Sequence, residues 1–245
     1  MAKIDDKLEA ELKAVGDKPA DTVASTIKKK YSESVSNAAA RAFADELRRK
    51  GMTEARPAPP GLLDSSGAER RMAGGIGAKK VDVTWSTEES GLLLGISIKS
   101  INFRDGRSGN FQKNLTNRRG DMLFEGVTLH RRFPYAVLGG IFFLDREAAN
   151  DQTARRKSTF ENAHNRLKLF TGRSDPAGRD EQYEQLYLVL LEASSTSVNV
   201  EAFRVGEPKT PIPLETLLDE LMQLTAQRNP DFYDFSSGRF IKLPH

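Results

Sequence analysis

Apolar residues along this chain follow two periods in turn. Residues 3–50 keep helical spacing and stop twice at glycine, after KIDDKLEAELKAV and after PADTVASTIKKKYSESVSNAAARAFADELRRK, which predicts an N-terminal helical region in one or two pieces. The stretch ARPAPPGLLDSSG at 55–67 forbids regular structure and reads as a linker. Strands are predicted at 79–86 and 92–103, a helix over most of 110–132 despite Gly120 and Gly126, and a strand at 135–144. STFENAHNRLKLFTG then carries a capping box, Ser158 with Glu161, and places Phe160, Ala163, Leu167 and Phe170 on one helical face. Strands at 185–193 and 198–205 pair through SSTS, and PLETLLDELMQLTAQR closes the series as an amphipathic helix. This order predicts an α/β or α+β fold with a central mixed sheet flanked by helices. The expected division is a helical region at 1–54, a linker at 55–68 and an α/β domain at 69–245.

Composition narrows the class. The longest strongly apolar run, YAVLGGIFFL, has ten residues, against roughly 20 for a helix that spans a bilayer. It reads as a buried strand, and no membrane partner is expected. The N-terminus shows no apolar signal region. The absence of cysteine excludes disulfides, thiolate zinc sites and cysteine nucleophiles, and agrees with a cytoplasmic location. From Lys99 to Arg132 there are eight Lys or Arg against three carboxylates, a local net of +5 in a chain whose formal total is +3. Such a stretch is either a solvated face or an attractor of polyanions.

The hairpin VDVTWSTEESGLLLGISIKS carries the first chemistry. If the chain reverses near Glu89 and Ser90, Asp82 lies across from Ser97, and Lys99 shares the face of Ser97. The other face takes Val81, Val83, Leu94, Ile96 and Ile98. In the following helix Asn114, Asn117, Asp121 and Glu125 fall within roughly 80° of one another, beside an apolar stripe of Phe111, Leu115, Met122 and Leu129. A helix after the Lys99 strand can fold back on the sheet and bring that polar stripe to Asp82. The bland alternatives are a cross-strand ion pair and a helix face turned to solvent.

An Asp on one strand followed by acid-x-Lys on the next resembles the PD-(D/E)XK nuclease superfamily, which includes many restriction endonucleases. The matching residues are Asp82 and Ser97-Ile98-Lys99, within roughly residues 70–145. Lys80 and Val81 precede Asp82 with no proline, and Ser97 stands in place of the second acid. A subgroup of restriction enzymes has the same serine and takes its acid from the following helix, which implies Glu125 or Asp121 here; Glu125 is favoured, because its longer side chain tolerates a looser helix-to-sheet distance and its helical angle lies nearer the apolar stripe, and Asp121 is expected to hold an Arg or a water. The resemblance implies a restriction-endonuclease-like core and a metal-dependent endonuclease acting on DNA, double-stranded above all, in restriction or phage defence. It further implies Mg²⁺ or Mn²⁺ held by Asp82, Glu125 or Asp121 and the Ile98 carbonyl. Lys99 would orient or help deprotonate the attacking water. Lys113, Arg118 and Arg119 would hold phosphates, and Asn114 and Asn117 backbone or bases. The N-terminal helices would cover DNA or form a homodimer. Glu46 and Glu69 are further candidates for the missing acid.

Other motifs carry less. GGIGAKK at 74–80 lacks the Gly-Lys-Ser/Thr of a phosphate loop and reads as a turn. His130, His164 and His245 share no metal-ligand spacing, and His130 reads as a helix-end or phosphate-contact residue. Trp85 and Phe103 read as core or sheet residues. Two rival functions remain: a nucleic-acid-binding protein without catalysis, for which Ser97 argues, and a structural or interaction module.

Overall fold

The computed structural model describes residues 3–62 and 70–244. At its centre β4 (Gly91–Ile101) pairs antiparallel with β3 (Val83–Thr87) and parallel with β5 (Val137–Asp145). Strand β6 (Gln185–Ala193) is parallel to β5, while β7 (Val198–Arg204) and β8 (Pro211–Ile212) add two antiparallel strands. The result is a six-stranded mixed sheet in the order β3-β4-β5-β6-β7-β8. Parallel strands covered on both faces need apolar side chains on both faces, so they read as unbroken apolar runs rather than alternating ones. Every residue of β5 is buried accordingly.

Helices cover both faces. On one, α1 (Ile4–Val15), α2 (Ser25–Arg49) and α5 (Leu214–Arg228) bury Leu8, Leu12, Phe43, Leu47 and Leu221 in one cluster with Val83, Ile96 and Ile141. The N-terminal helices therefore form a layer on the sheet and share its core. On the other face the crossover helices α3 (Gln112–His130) and α4 (Thr159–Leu167) bury Leu115, Met122, Phe160 and Leu167 with Leu138, Phe142 and Leu188. The predicted cap of α4 is present, Ser158 accepting from the Glu161 N–H.

One predicted strand is broken. Residues 79–86 divide into β2 (Ala78–Lys80), which pairs with β1 (Arg71–Ala73) in a separate small sheet, and β3, with Val81 and Asp82 between them. The break turns Val81 over: it packs with Leu92 and Leu138 on the α3 side, opposite to the face expected for it. GGIGAKK supplies the β1–β2 turn, and the Gly75 N–H reaches the Thr128 carbonyl of α3 at 2.8 Å. The start of the linker meets the outer edge of β3, where Arg56 and Thr84 exchange backbone hydrogen bonds of 2.7 and 3.0 Å. Trp85 packs edge-on against Tyr233 and Phe240, next to a C-terminal hairpin of β9 (Tyr233–Asp234) and β10 (Ile241–Lys242).

Candidate active site

The site is built where β3 ends and β4 continues. Val83 pairs with Ile96, the last pair of the ladder, and the same register carried one residue on would set Asp82 across from Ser97. Beyond that point the β4 edge has no strand partner among the described residues, and the Asp82 side chain takes over: the Ile98 N–H donates to Asp82 Oδ2 at 2.7 Å. A strand residue points its N–H and C=O to the same edge, so the Ile98 carbonyl faces this corner too. Arg70 donates to the Asp82 carbonyl oxygen at 2.7 Å, which holds the bend between β2 and β3.

Helix α3 supplies the remaining carboxylate. It lies close to the sheet because two contact positions carry no side chain. A Cβ at Gly140 of β5 would lie 2.8 Å from Met122 Sδ, and one at Gly126 of α3 would lie 2.9 Å from the Tyr183 ring. The Tyr183 hydroxyl also donates to the Met122 carbonyl oxygen at 2.9 Å. With the helix so docked, Glu125 Oε2 stands 3.1 Å from Lys99 Nζ, and Asp82 Oδ2 stands 4.0 Å from it.

Burial governs the charges. The Lys99 and Glu125 side chains are only 15% and 8% exposed. Burial pushes the Lys99 ammonium down, but Glu125 and Asp82 outweigh it and the net shift is upward, so Lys99 stays protonated. Burial pushes the Glu125 carboxyl up, Lys99 opposes this, and Asp82 adds to it; the net shift is again upward. Ser97 is close enough to favour the charged form of Glu125, yet Ser97 Oγ and Glu125 Oε1 each lack a partner in hydrogen-bonding geometry. A buried carboxylate oxygen without a partner is costly unless a ligand or water meets it.

The other expected residues divide. Asp121 is exposed and pairs with Arg118 at 3.5 Å, one turn away from the corner that Glu125 enters. Arg118 lines the groove beside Asp82 and Lys99, whereas Arg119 turns to the ring of Phe170 at 6.0 Å and lines no part of it. Successive helix residues point about 100° apart, so the two arginines do not act as a pair. Lys113 is held by Asp105 at 3.0 Å. Asn114 donates to the Phe103 carbonyl at 3.2 Å, and both Asn114 and Asn117 line the adjoining cavity. Glu46 is fully buried and bonded to Arg49, roughly 13 Å further along α2 than the groove residue Asn37. Glu69 and His245 lie outside the described residues. His130 is no phosphate contact: it is buried at the end of α3, 3.3 Å from Glu184. His164 is buried as well and accepts from the Gly206 N–H at 3.0 Å.

The opposite wall of the groove is not anticipated by the sequence pattern. Lys29, Ser32, Glu33, Ser36 and Asn37 of α2 line the cavity that holds Asp82 and Lys99, about 450 Å³ in volume. Their polar i, i+3, i+4 spacing is visible in the sequence, but nothing local distinguishes such a stripe from a solvated helix face.

The donor set suits a hard divalent cation. Two carboxylates from different elements, one with an unpartnered oxygen, and a strand carbonyl offer oxygen ligands, and Mg²⁺ keeps several waters beside a few protein oxygens. Among the described residues no three His, Cys, Asp or Glu gather at one point, so the protein share would be Asp82, Glu125 and the Ile98 carbonyl. Comparison with known proteins finds no match: no family model, no curated protein and no solved structure matches this chain. No helix among the described residues is long and apolar enough to cross a membrane.

Proposed function

We propose that this protein is a divalent-metal-dependent deoxyribonuclease that hydrolyses DNA phosphodiester bonds, with Mg²⁺ or Mn²⁺ as cofactor. The observation that carries the reading is the convergence of Asp82, from the break before β3, Lys99 of β4 and Glu125 of α3 at a corner beside a groove lined by Lys29 and Arg118. The arrangement agrees with the resemblance to the PD-(D/E)XK nucleases, in the variant whose acid comes from the following helix.

Asp82, Glu125 and the Ile98 carbonyl would hold the cation. When bound, it supplies charge neutralisation at the non-bridging phosphate oxygens and acidity to an attacking water. Lys99, as an ammonium, donates hydrogen bonds and offsets the charge that grows on the phosphate in the transition state. Taking up a proton is not open to it in this state, so orienting the water is its role. Ser97, small and neutral, leaves room for Glu125 beside the strand. Arg118 and Lys29 hold the phosphate chain in the groove. Cutting both strands of a duplex calls for two copies of the site, which makes a homodimer part of the proposal, together with a cytoplasmic role in restriction or phage defence.

One observation favours binding without hydrolysis: the Lys99 ammonium already lies between the two carboxylates. Incubating the protein with supercoiled plasmid in Mg²⁺ or Mn²⁺, and in EDTA, separates the readings. Metal-dependent nicking or linearisation that is lost in Asp82→Asn supports the nuclease; tight binding with intact plasmid supports the rival.

A further inference from the structure

The groove does not end at the carboxylates. The cavity beside Asp82 and Lys99 adjoins a second of about 530 Å³, and the two share Lys29, Ser32, Ser100 and Arg118. Between Lys99 and Arg104 the floor follows the end of β4, which closes at Ile101, and then the bend at Phe103. The walls come from different parts of the chain: α3 presents Asn117 and Arg118, and the first turns of α2 present Lys28 and Lys29.

The lysines of α2 are the less committed cations of this groove. Arg118 is held by Asp121 at 3.5 Å and Arg104 by Glu147 at 3.3 Å. Lys29 meets only Glu33, at 3.7 Å, with both side chains mostly exposed, a contact of little energetic weight. Lys28 lies over the Phe103 ring at 5.8 Å and forms no ion pair among the described residues. Lysines on a helix surface usually face bulk water; these two face a concavity whose far wall carries Arg118 beside Asp121, so an anion there can be met from both sides once Arg118 turns to it. Lys30, the next residue, lines neither cavity.

The geometry points to α2 as the second wall of the substrate groove, with Lys28 and Lys29 holding backbone phosphates of the DNA strand that runs from the Asp82–Glu125 corner toward Arg104. This rests on the nucleic-acid reading of the site, and it assigns to the N-terminal helix a part in gripping one flank of the target.

The test is equilibrium binding of a fluorescently labelled short duplex to the whole protein in EDTA, followed by anisotropy over a series of salt concentrations. Lys28→Ala/Lys29→Ala should weaken binding and lower the slope of log K against log salt by about 0.9 for each phosphate that is no longer neutralised, roughly 1 to 2 in all. Lys30→Ala, one charge away on the same helix, should change the slope far less. Equal slopes in wild type and the double variant overturn the inference, as does absence of binding by the wild type. Polyglutamate that displaces the duplex as well as unlabelled DNA does, charge for charge, overturns it too, because the groove would then attract acidic chains in general. If the wild type binds with the predicted slopes but cuts no plasmid, the groove stands and hydrolysis falls; if it cuts and the double variant keeps its slope, the reverse holds.

Discussion

Lys99 Nζ stands 3.1 Å from Glu125 Oε2 and 4.0 Å from Asp82 Oδ2, so one ammonium serves as counter-ion to a carboxylate of α3 and to one in the break before β3. Removing it leaves two anions facing each other in a buried corner. Breaking a buried pair from one side costs about 3–5 kcal/mol. Lys99→Met should therefore lower the melting temperature of the metal-free protein and abolish cleavage, by roughly 10²-fold or more. Mn²⁺ should then stabilise the variant more than it stabilises wild type, because the cation replaces the missing charge. An equal thermal shift in the two proteins would show that Lys99 does not compete for the cation's place.

Glu125 and Asp121 lie one turn apart on α3, but only Glu125 enters the corner. Glu125→Gln should raise the Mg²⁺ or Mn²⁺ concentration needed for half-maximal cleavage by tenfold or more, on the order of 1.4 kcal/mol of binding free energy. Asp121→Asn should leave it unchanged. Metal titrations of both variants check the pair, and equal requirements would remove Glu125 from the site.

Arg118 and Arg119 are neighbours in sequence and face different surroundings. Arg118→Ala should reduce the salt dependence of DNA binding by about 0.9 in log-log slope, and Arg119→Ala should not. A common effect of both would mean that DNA contacts the outer face of α3 rather than the groove.

Gly126 sits inside a helix, where alanine is ordinarily better by about 1 kcal/mol. Here its Cβ would lie 2.9 Å from the Tyr183 ring and 3.4 Å from the Asp180 carbonyl oxygen. Overpacking of this kind costs about 1–3 kcal/mol, so Gly126→Ala should lower the melting temperature and displace Glu125 from Lys99, weakening metal-induced stabilisation. A higher melting temperature would mean that α3 is not held by this contact.

Burial holds the His164 imidazole down, at a pKa of about 4 against the ordinary 6.5. A folded-state pKa below the unfolded one means that the unfolded chain takes up the proton first. The contribution is intact above pH 6.5 and is lost as the pH falls toward about 4. Wild type should lose stability over that window, and His164→Gln should lose less, as denaturant melts at a series of pH values would show. Parallel losses in the two proteins would place the acid sensitivity elsewhere.

The local pattern of residues was enough to mark the apolar runs of β5 and β6, the cap of α4 and the antiparallel register that pairs Val83 with Ile96, because each depends on neighbours in sequence or on one short turn. It also marked a polar stripe on α3 that could meet the sheet. Side-chain length and helical angle already favoured Glu125 over Asp121; how close α3 docks, and so whether Glu125 reaches Lys99, is decided by Gly140, Met122, Gly126 and Tyr183, which come from separate parts of the chain. The break before β3 that turned Val81 over, and the packing of α2 that made its polar stripe a wall of the groove, likewise arise from long-range contacts. Periodicity states which residues share a face of an element; which surface that face meets is decided only when helices and sheet compete to bury their apolar sides together.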